Sequence, residues 1–119
     1  MAPDAYVTIS PHFRVPEGRL EDFKMLCQRF VDTVANDDGC VRYSWGFVGN
    51  EARCREDFVN ADAALAHFGS VVGLTEEAYQ LAELVSLEVL APDDELAKLR
   101  PILTEAKHNL FAVEVGFRR

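Results

Sequence analysis

The chain has 119 residues, 49% hydrophobic and 27% charged, the size and composition of one folded domain around one core rather than of a disordered segment. Twenty acidic against twelve basic side chains give a net charge of -8, so the surface field repels phosphate backbones and anionic headgroups, and neither nucleic acid nor membrane is an expected partner. Met1 to Ser10 lack the basic and apolar regions of a signal peptide, and no stretch approaches the roughly 18 apolar residues of a membrane span, so the cytoplasm is the expected location.

Ala5 to Val15 alternates, with Val7, Ile9, Phe13 and Val15 on one side and Tyr6, Thr8, Ser10, His12 and Arg14 on the other, the pattern of a strand with one apolar face. Pro11 has no N–H for a ladder, which points to an edge position or a bulge. After Pro16-Glu17-Gly18, apolar residues at 20, 23, 27, 30 and 34 recur at helical spacing and predict an amphipathic helix of about 18 residues. Asn36-Asp37-Asp38-Gly39 stops it.

Cys40 to Val48 is rich in β-branched and aromatic residues and aligns Val41, Tyr43, Trp45 and Phe47 on one face. Gly49-Asn50 turns the chain into a second strand, Glu51 to Val59, making a hairpin. Asn60 is placed to cap a short helix from Ala61 to Phe68, ended by Gly69, and Leu74 to Leu81 reads as another helix with Thr75 at its start. Val85, Leu87 and Val89 then alternate in a strand, completing a βαββαβ order by about Leu90.

Asp93, Asp94 and Glu95 favour a helix start, with Leu96, Leu99, Ile102 and Leu103 beneath and Pro101 expected to bend or split that helix. A last strand is predicted over Leu110 to Phe117, with Phe111, Val113, Val115 and Phe117 on one face. Cys27, Cys40 and Cys54 are odd in number and form no C-x-x-C pair, which suits buried free thiols rather than a disulfide framework or a zinc site. The fold class is therefore α+β, a ferredoxin-like split βαβ with an antiparallel sheet, in a single domain over residues 1–119 with its core at 5–90 and an extension at 91–119.

In such a fold the crossover helices cover one sheet face. Apolar groups on both sides of the Cys40 to Val48 and Leu84 to Leu90 strands predict a second copy packed on the other face, as a homodimer.

Glu56 to Phe68, EDFVNADAALAHF, resembles the antibiotic-biosynthesis monooxygenase family, in which a strand ends on Glu and continues through an aromatic, an Ala and a His on the next helix; Glu56, Phe58, Ala63, His67 and Phe68 stand at the matching positions. Gly39-Cys40-x-x-Tyr43 is similar to the family's strand opening. The resemblance covers roughly residues 5 to 90. It implies a dimeric α+β barrel with a cavity between sheet and helices in each subunit. Some relatives oxidise polycyclic phenols or quinols with molecular oxygen and neither metal nor flavin, so no cofactor is expected; others cleave haem.

On that basis the expected activity is a cofactor-independent monooxygenation of a small aromatic or quinol. The expectation of a different class is a non-catalytic dimeric module that binds a hydrophobic metabolite. His67, Trp45 and Glu56 are the candidate catalytic residues, with His67 placed to take a phenolic proton because imidazole titrates near neutral pH. Tyr43, Phe58 and Phe68 are candidate substrate contacts, and Thr8, Ser10 and His12 are expected to add polar groups to the cavity. Where many family members carry Trp or Tyr, this chain has Phe58. Arg42, Arg53 and Arg55 are expected at the surface. His12 and His108, far apart in sequence from His67, make no metal-ligand spacing.

Overall fold

In a computed structural model, which describes residues 4–119, the chain runs β1 (Val7–Arg14), α1 (Leu20–Val34), β2 (Cys40–Val48), β3 (Glu51–Phe58), α2 (Ala61–Ser70), α3 (Val72–Leu81), β4 (Glu83–Ala91), α4 (Asp93–Leu99) and β5 (His108–Ala112). The five strands form one sheet in the order β2-β3-β1-β4-β5, antiparallel except that β5 joins β4 in parallel. This is the split βαβ arrangement, extended at one edge by a fifth strand. Pairing a parallel edge strand needs a crossover, and α4 supplies it.

β1 is the central strand, so Pro11 is not at an edge as its missing N–H suggested. Its register with β3 runs Val7 to Ile9 and resumes at His12, leaving Pro11 in the gap. Two bulges correct the expected faces. Between Cys40 and Arg42 the register shifts and Val41 becomes the extra residue, half exposed instead of sharing the Tyr43 face. Opposite His12 and Phe13 the partner jumps from Ser86 to Leu84, so Val85 is skipped and Leu84 turns toward the helices in its place.

Helix α1 buries Phe23, Leu26, Cys27, Phe30 and Val34, the stripe its periodicity predicts. Asn60 caps α2 by accepting from the Ala63 N–H at 2.8 Å, and the buried Glu95 carboxylate accepts from the Ala61 N–H at 2.8 Å, which ties α4 to the start of α2. Gly69 lies inside α2 rather than ending it, and α3 begins at Val72, two residues earlier than predicted. The predicted Leu110 to Phe117 strand is shorter and starts earlier, at His108. Val113 donates one last backbone bond to Ala91, after which residues 114–119 leave the sheet.

The two sheet faces differ in chemistry. Ile9, Phe13, Ala52, Cys54, Val89 and Ala91 point at the helices and are buried. The hairpin aromatics Tyr43, Trp45 and Phe47 point the same way, since they pair directly with Glu56, Cys54 and Ala52. The open face carries ion pairs instead: Arg42 with Asp57 at 2.6 Å, Arg53 with Glu88 at 2.8 Å, and His12 with Glu51 at 2.9 Å. The expected aromatic load on the open side of the hairpin is therefore absent. Its exposed apolar groups are Val48 on β2 and Leu90 and Phe111 on β4 and β5, and Val115 and Phe117 are exposed in the tail that follows. Among the described residues no helix is long and apolar enough to cross a membrane.

Candidate active site

His67 stands near the C-terminal end of α2 and faces the sheet, 4% exposed. Glu56 reaches it from β3, since the alternation that buries Cys54 and Phe58 also turns this carboxylate inward, 5% exposed. Its Oε1 lies 3.2 Å from His67 Nε2, in an alignment that leaves the oxygen without a full hydrogen bond. On the other side of the ring, Nδ1 meets Asp37 Oδ2 at 3.3 Å, and Ser70 donates its hydroxyl to that same oxygen at 3.1 Å.

Asp37 belongs to the α1–β2 loop, which lies close because of Gly39. A Cβ on Gly39 would fall 2.5 Å from the Ala63 Cβ of α2, an impossible approach, so only glycine lets this loop seat against the helix that carries His67. In the sequence Asp37 and Gly39 read only as a helix stop. A carboxylate two residues before a close-packing glycine was the available signal.

The imidazole is packed by Phe58, with ring centroids 4.8 Å apart, and by Tyr43 and Phe68, each at 5.9 Å. Burial acts against its charge and is the largest single influence, but Glu56 and Asp37 together outweigh it and raise its pKa above the ordinary 6.5. His67 is thus an imidazole flanked by two carboxylates that favour its protonated form. Glu56 Oε1 is the acceptor on this wall without a full hydrogen bond.

The pair opens on a cavity of about 270 Å³ between sheet and helices, near the lower end of the range for small-molecule sites. Tyr43, Trp45, Glu56, His67 and Phe68 all line it. Phe58 does not reach the cavity; it is fully buried behind the imidazole and supports it. Trp45 is held by edge and tilted contacts to Phe13, Phe23 and Phe30 at 5.7 to 6.1 Å, and its Nε1 is buried without a hydrogen-bond partner. Among the described residues, Trp45 Nε1 and Glu56 Oε1 are the two buried side-chain polar atoms left unpaired. Each such atom costs about 1–3 kcal/mol in desolvation, and both face one cavity.

Burial pushes the Tyr43 phenol well above its ordinary pKa, so it is a neutral donor in this wall. Burial also pushes Cys27 up to about 12 and raises Cys54, which makes both thiols poor nucleophiles.

Thr8, Ser10 and His12 do not join the site. They alternate onto the open face, where Thr8 donates to Asp57 at 2.6 Å, Ser10 accepts from Arg53 at 3.3 Å, and His12 pairs with Glu51. The strand's apolar side, through Ile9, Pro11 and Phe13, forms the cavity floor in their stead. His108, which had no assigned role, also lines the cavity, from β5. No group of three or more His, Cys, Asp or Glu side chains among the described residues is gathered to hold a metal ion.

No family model matches the chain, and no curated protein sequence matches it. Solved structures do. MupZ from Pseudomonas fluorescens is 35% identical, with a TM-score of 0.92 over 98% of this chain and 96% of its own. A variant of SnoaB, a cofactor-independent oxygenase from Streptomyces nogalater, is 16% identical with a TM-score of 0.67 over 75% of this chain and 94% of its own. A Chloroflexus aurantiacus protein assigned to the antibiotic biosynthesis monooxygenases is 14% identical with a TM-score of 0.62 over 73% of this chain and 92% of its own. The latter two cover about the share of the chain that the βαββαβ unit occupies, whereas the match to MupZ takes in α4 and β5 as well. The chain belongs to the same family as MupZ, built on the antibiotic-biosynthesis monooxygenase fold.

Proposed function

We propose that this protein is an enzyme in which the buried Glu56–His67 pair moves a proton on a hydrophobic, hydroxyl-bearing molecule held in the cavity. The observation that carries this reading is the buried Glu56 Oε1, held on the wall of a largely apolar cavity in ion-pair range of the His67 imidazole, 3.2 Å away, but without a full hydrogen bond. A carboxylate buried at that cost contributes little to folding, and perturbed titratable groups gathered on a cavity wall are the signature of proton-transfer chemistry.

The reaction type is taken from SnoaB, a cofactor-independent oxygenase of the same fold. A phenol or quinol hydroxyl donates to Glu56 Oε1 and gives up its proton, and the His67 imidazolium offsets the charge of the anion. The electron-rich anion passes one electron to oxygen, and the radical pair recombines to a peroxide anion on carbon, which takes back the proton held on Glu56 to become a hydroperoxide. Loss of water from an activated CH₂ then leaves a carbonyl, so one oxygen atom enters the product and the other departs as water. Apolar walls exclude bulk water from these steps. Trp45 and Tyr43 orient the hydroxyl, and Phe68 packs the rings.

The raised pKa of His67 favours a second reading at the same site. A held proton next to a free acceptor suits redox-neutral proton transfer, with Glu56 removing a hydroxyl proton and His67 delivering one elsewhere on the molecule. Turnover of aromatic and quinol substrates by metal-free protein, measured in air and under nitrogen, separates the two. Oxygen uptake in step with product supports monooxygenation, and equal rates under nitrogen support the redox-neutral reaction. Thermal stabilisation by these compounds with no turnover in either atmosphere would leave a binding module.

The protein also acts, in this proposal, as a homodimer joined through the open sheet face. In support, Phe111 on that face is 51% exposed, and Val115 and Phe117 of the tail, which border the open-face residues Thr8, Arg42, Asp57 and Leu90, are 88% and 65% exposed. Sedimentation at micromolar concentration gives twice the chain mass if the pairing holds, and the single-chain mass if it does not.

A further inference from the structure

The cavity crosses the whole sheet. Taken in strand order it meets Tyr43 and Trp45 on β2, Glu56 on β3, Pro11 on β1, Leu87 on β4 and His108 on β5. Five strands set four spacings of about 4.8 Å, a span of roughly 19 Å from the Trp45 edge to the His108 edge. About 270 Å³ drawn out over that distance is a slot rather than a bowl.

Its polar groups are unevenly placed. Trp45 Nε1 and Glu56 Oε1, the unpaired donor and acceptor, sit at the β2–β3 end, where Trp45 is the diagonal neighbour of Glu56 across the hairpin. The floor of the middle is Ile9, Pro11, Phe13, Leu84 and Leu87, with no polar side-chain atom, and the α3 side above it adds the hydroxyl-bearing Thr75 and Tyr79 among apolar residues. The far end is lined by Ile102 and Leu103, from the extension that follows α4, together with His108. Among the described residues that line the slot there is no Lys or Arg, and its carboxylate stands at the polar end.

We infer that the ligand is an uncharged, elongated and largely aliphatic molecule, whose hydroxyl-bearing end accepts from Trp45 Nε1 and donates to Glu56 Oε1 while its chain runs beneath β1 and β4 to the extension. This rests on the proposed proton transfer at Glu56 and specifies the molecule it serves: the hydroxyl head, phenolic or alcoholic, carries an aliphatic tail. A carboxylate head meets Glu56 with like charge, and the one cationic group at that end, the His67 imidazole, already faces the Glu56 and Asp37 carboxylates. The extension sets the tail length, because Ile102 and Leu103 stand where the chain ends.

The test is a binding series by calorimetry and thermal shift on the intact protein, using straight-chain primary alcohols from butanol to decanol, the matching carboxylates, and a fused tricyclic phenol. Affinity for the alcohols is expected to rise about fourfold per methylene, the equivalent of about 0.8 kcal/mol, and to level off once the slot is full. The carboxylates bind at least tenfold more weakly, and Glu56→Gln narrows that gap. Ile102→Trp or Leu103→Trp moves the plateau to shorter chains. Affinity independent of chain length, or a tricyclic phenol that outbinds every alcohol, overturns the inference. The series involves no turnover, so it is separable from the reaction: chain-length dependence in a protein whose turnover survives Glu56→Gln leaves the slot and refutes the proton transfer, and the converse refutes the slot alone.

Discussion

The two faces of the sheet are made of the same five strands and put their polar groups to different use. On the open face nearly every charge has a partner within reach, as in the Arg42–Asp57 and Arg53–Glu88 pairs, and water screens what is left. On the helix face polar groups are few, deeply buried and incompletely paired. Paired surface charges describe solubility and register. Unpaired buried ones mark the place where the fold accepts a cost, and here both open on one cavity.

Substitutions sharpen that contrast. The largest expected effect is on turnover: Glu56→Gln keeps the shape and removes the acceptor, and should lower kcat/KM by about 10²–10⁴ with little change in secondary structure by circular dichroism. A loss below tenfold would detach Glu56 from the chemistry. Next comes Phe23→Ala, which opens a void in the core under the helices and should cost about 3–5 kcal/mol in chemical denaturation. On the open face Phe111→Ser should change the stability of the isolated chain by no more than about 0.5 kcal/mol while weakening self-association, so a large loss in single-chain stability would contradict the division drawn between the faces.

Gly39→Ala tests the link between loop and helix. The added methyl displaces the loop from Ala63 and with it Asp37 from His67, so the His67 pKa should fall toward its ordinary value even where the fold survives. A His67 titration unchanged by this variant would show that Asp37 does not depend on that approach.

The pH dependence has a definite sign. The folded-state pKa of His67 lies above its ordinary 6.5, so the pairing with Glu56 and Asp37 contributes stability that is fully present below about pH 6.5 and is lost as pH rises through the folded value. Denaturation of the wild type and His67→Gln across that interval should show their difference shrinking as pH rises. The smallest effect is expected at Arg53→Ala, within about 1 kcal/mol and smaller in high salt, because the Arg53–Glu88 pair is solvated.

Much of this was legible in the sequence because hydrophobic period and strand order fix a sheet with helices on one side. Alternation alone turned Glu56 inward with Cys54 and Phe58, whereas helical spacing set Ala64 with Phe68 on one face of α2, and the residue buried with Ala64 is His67. Alternation also misled. It grouped Thr8, Ser10 and His12 as possible cavity donors, although the apolar residues between them had to face the helices. Bulges at Val41 and Val85 shift the period by one residue and leave no mark in composition. Asp37 and His108 were invisible as site residues because their proximity to the cavity depends on a loop approach and on a parallel edge strand, both long-range features.

The central claim is that His67 holds its proton because Glu56 and Asp37 flank it at the cavity wall. Nitrogen-15 NMR titration of the imidazole in the wild type and in Glu56→Gln measures this directly. The account predicts a pKa above 6.5 in the wild type that falls on loss of the Glu56 charge; a His67 that titrates at or below 6.5 in both proteins would contradict it.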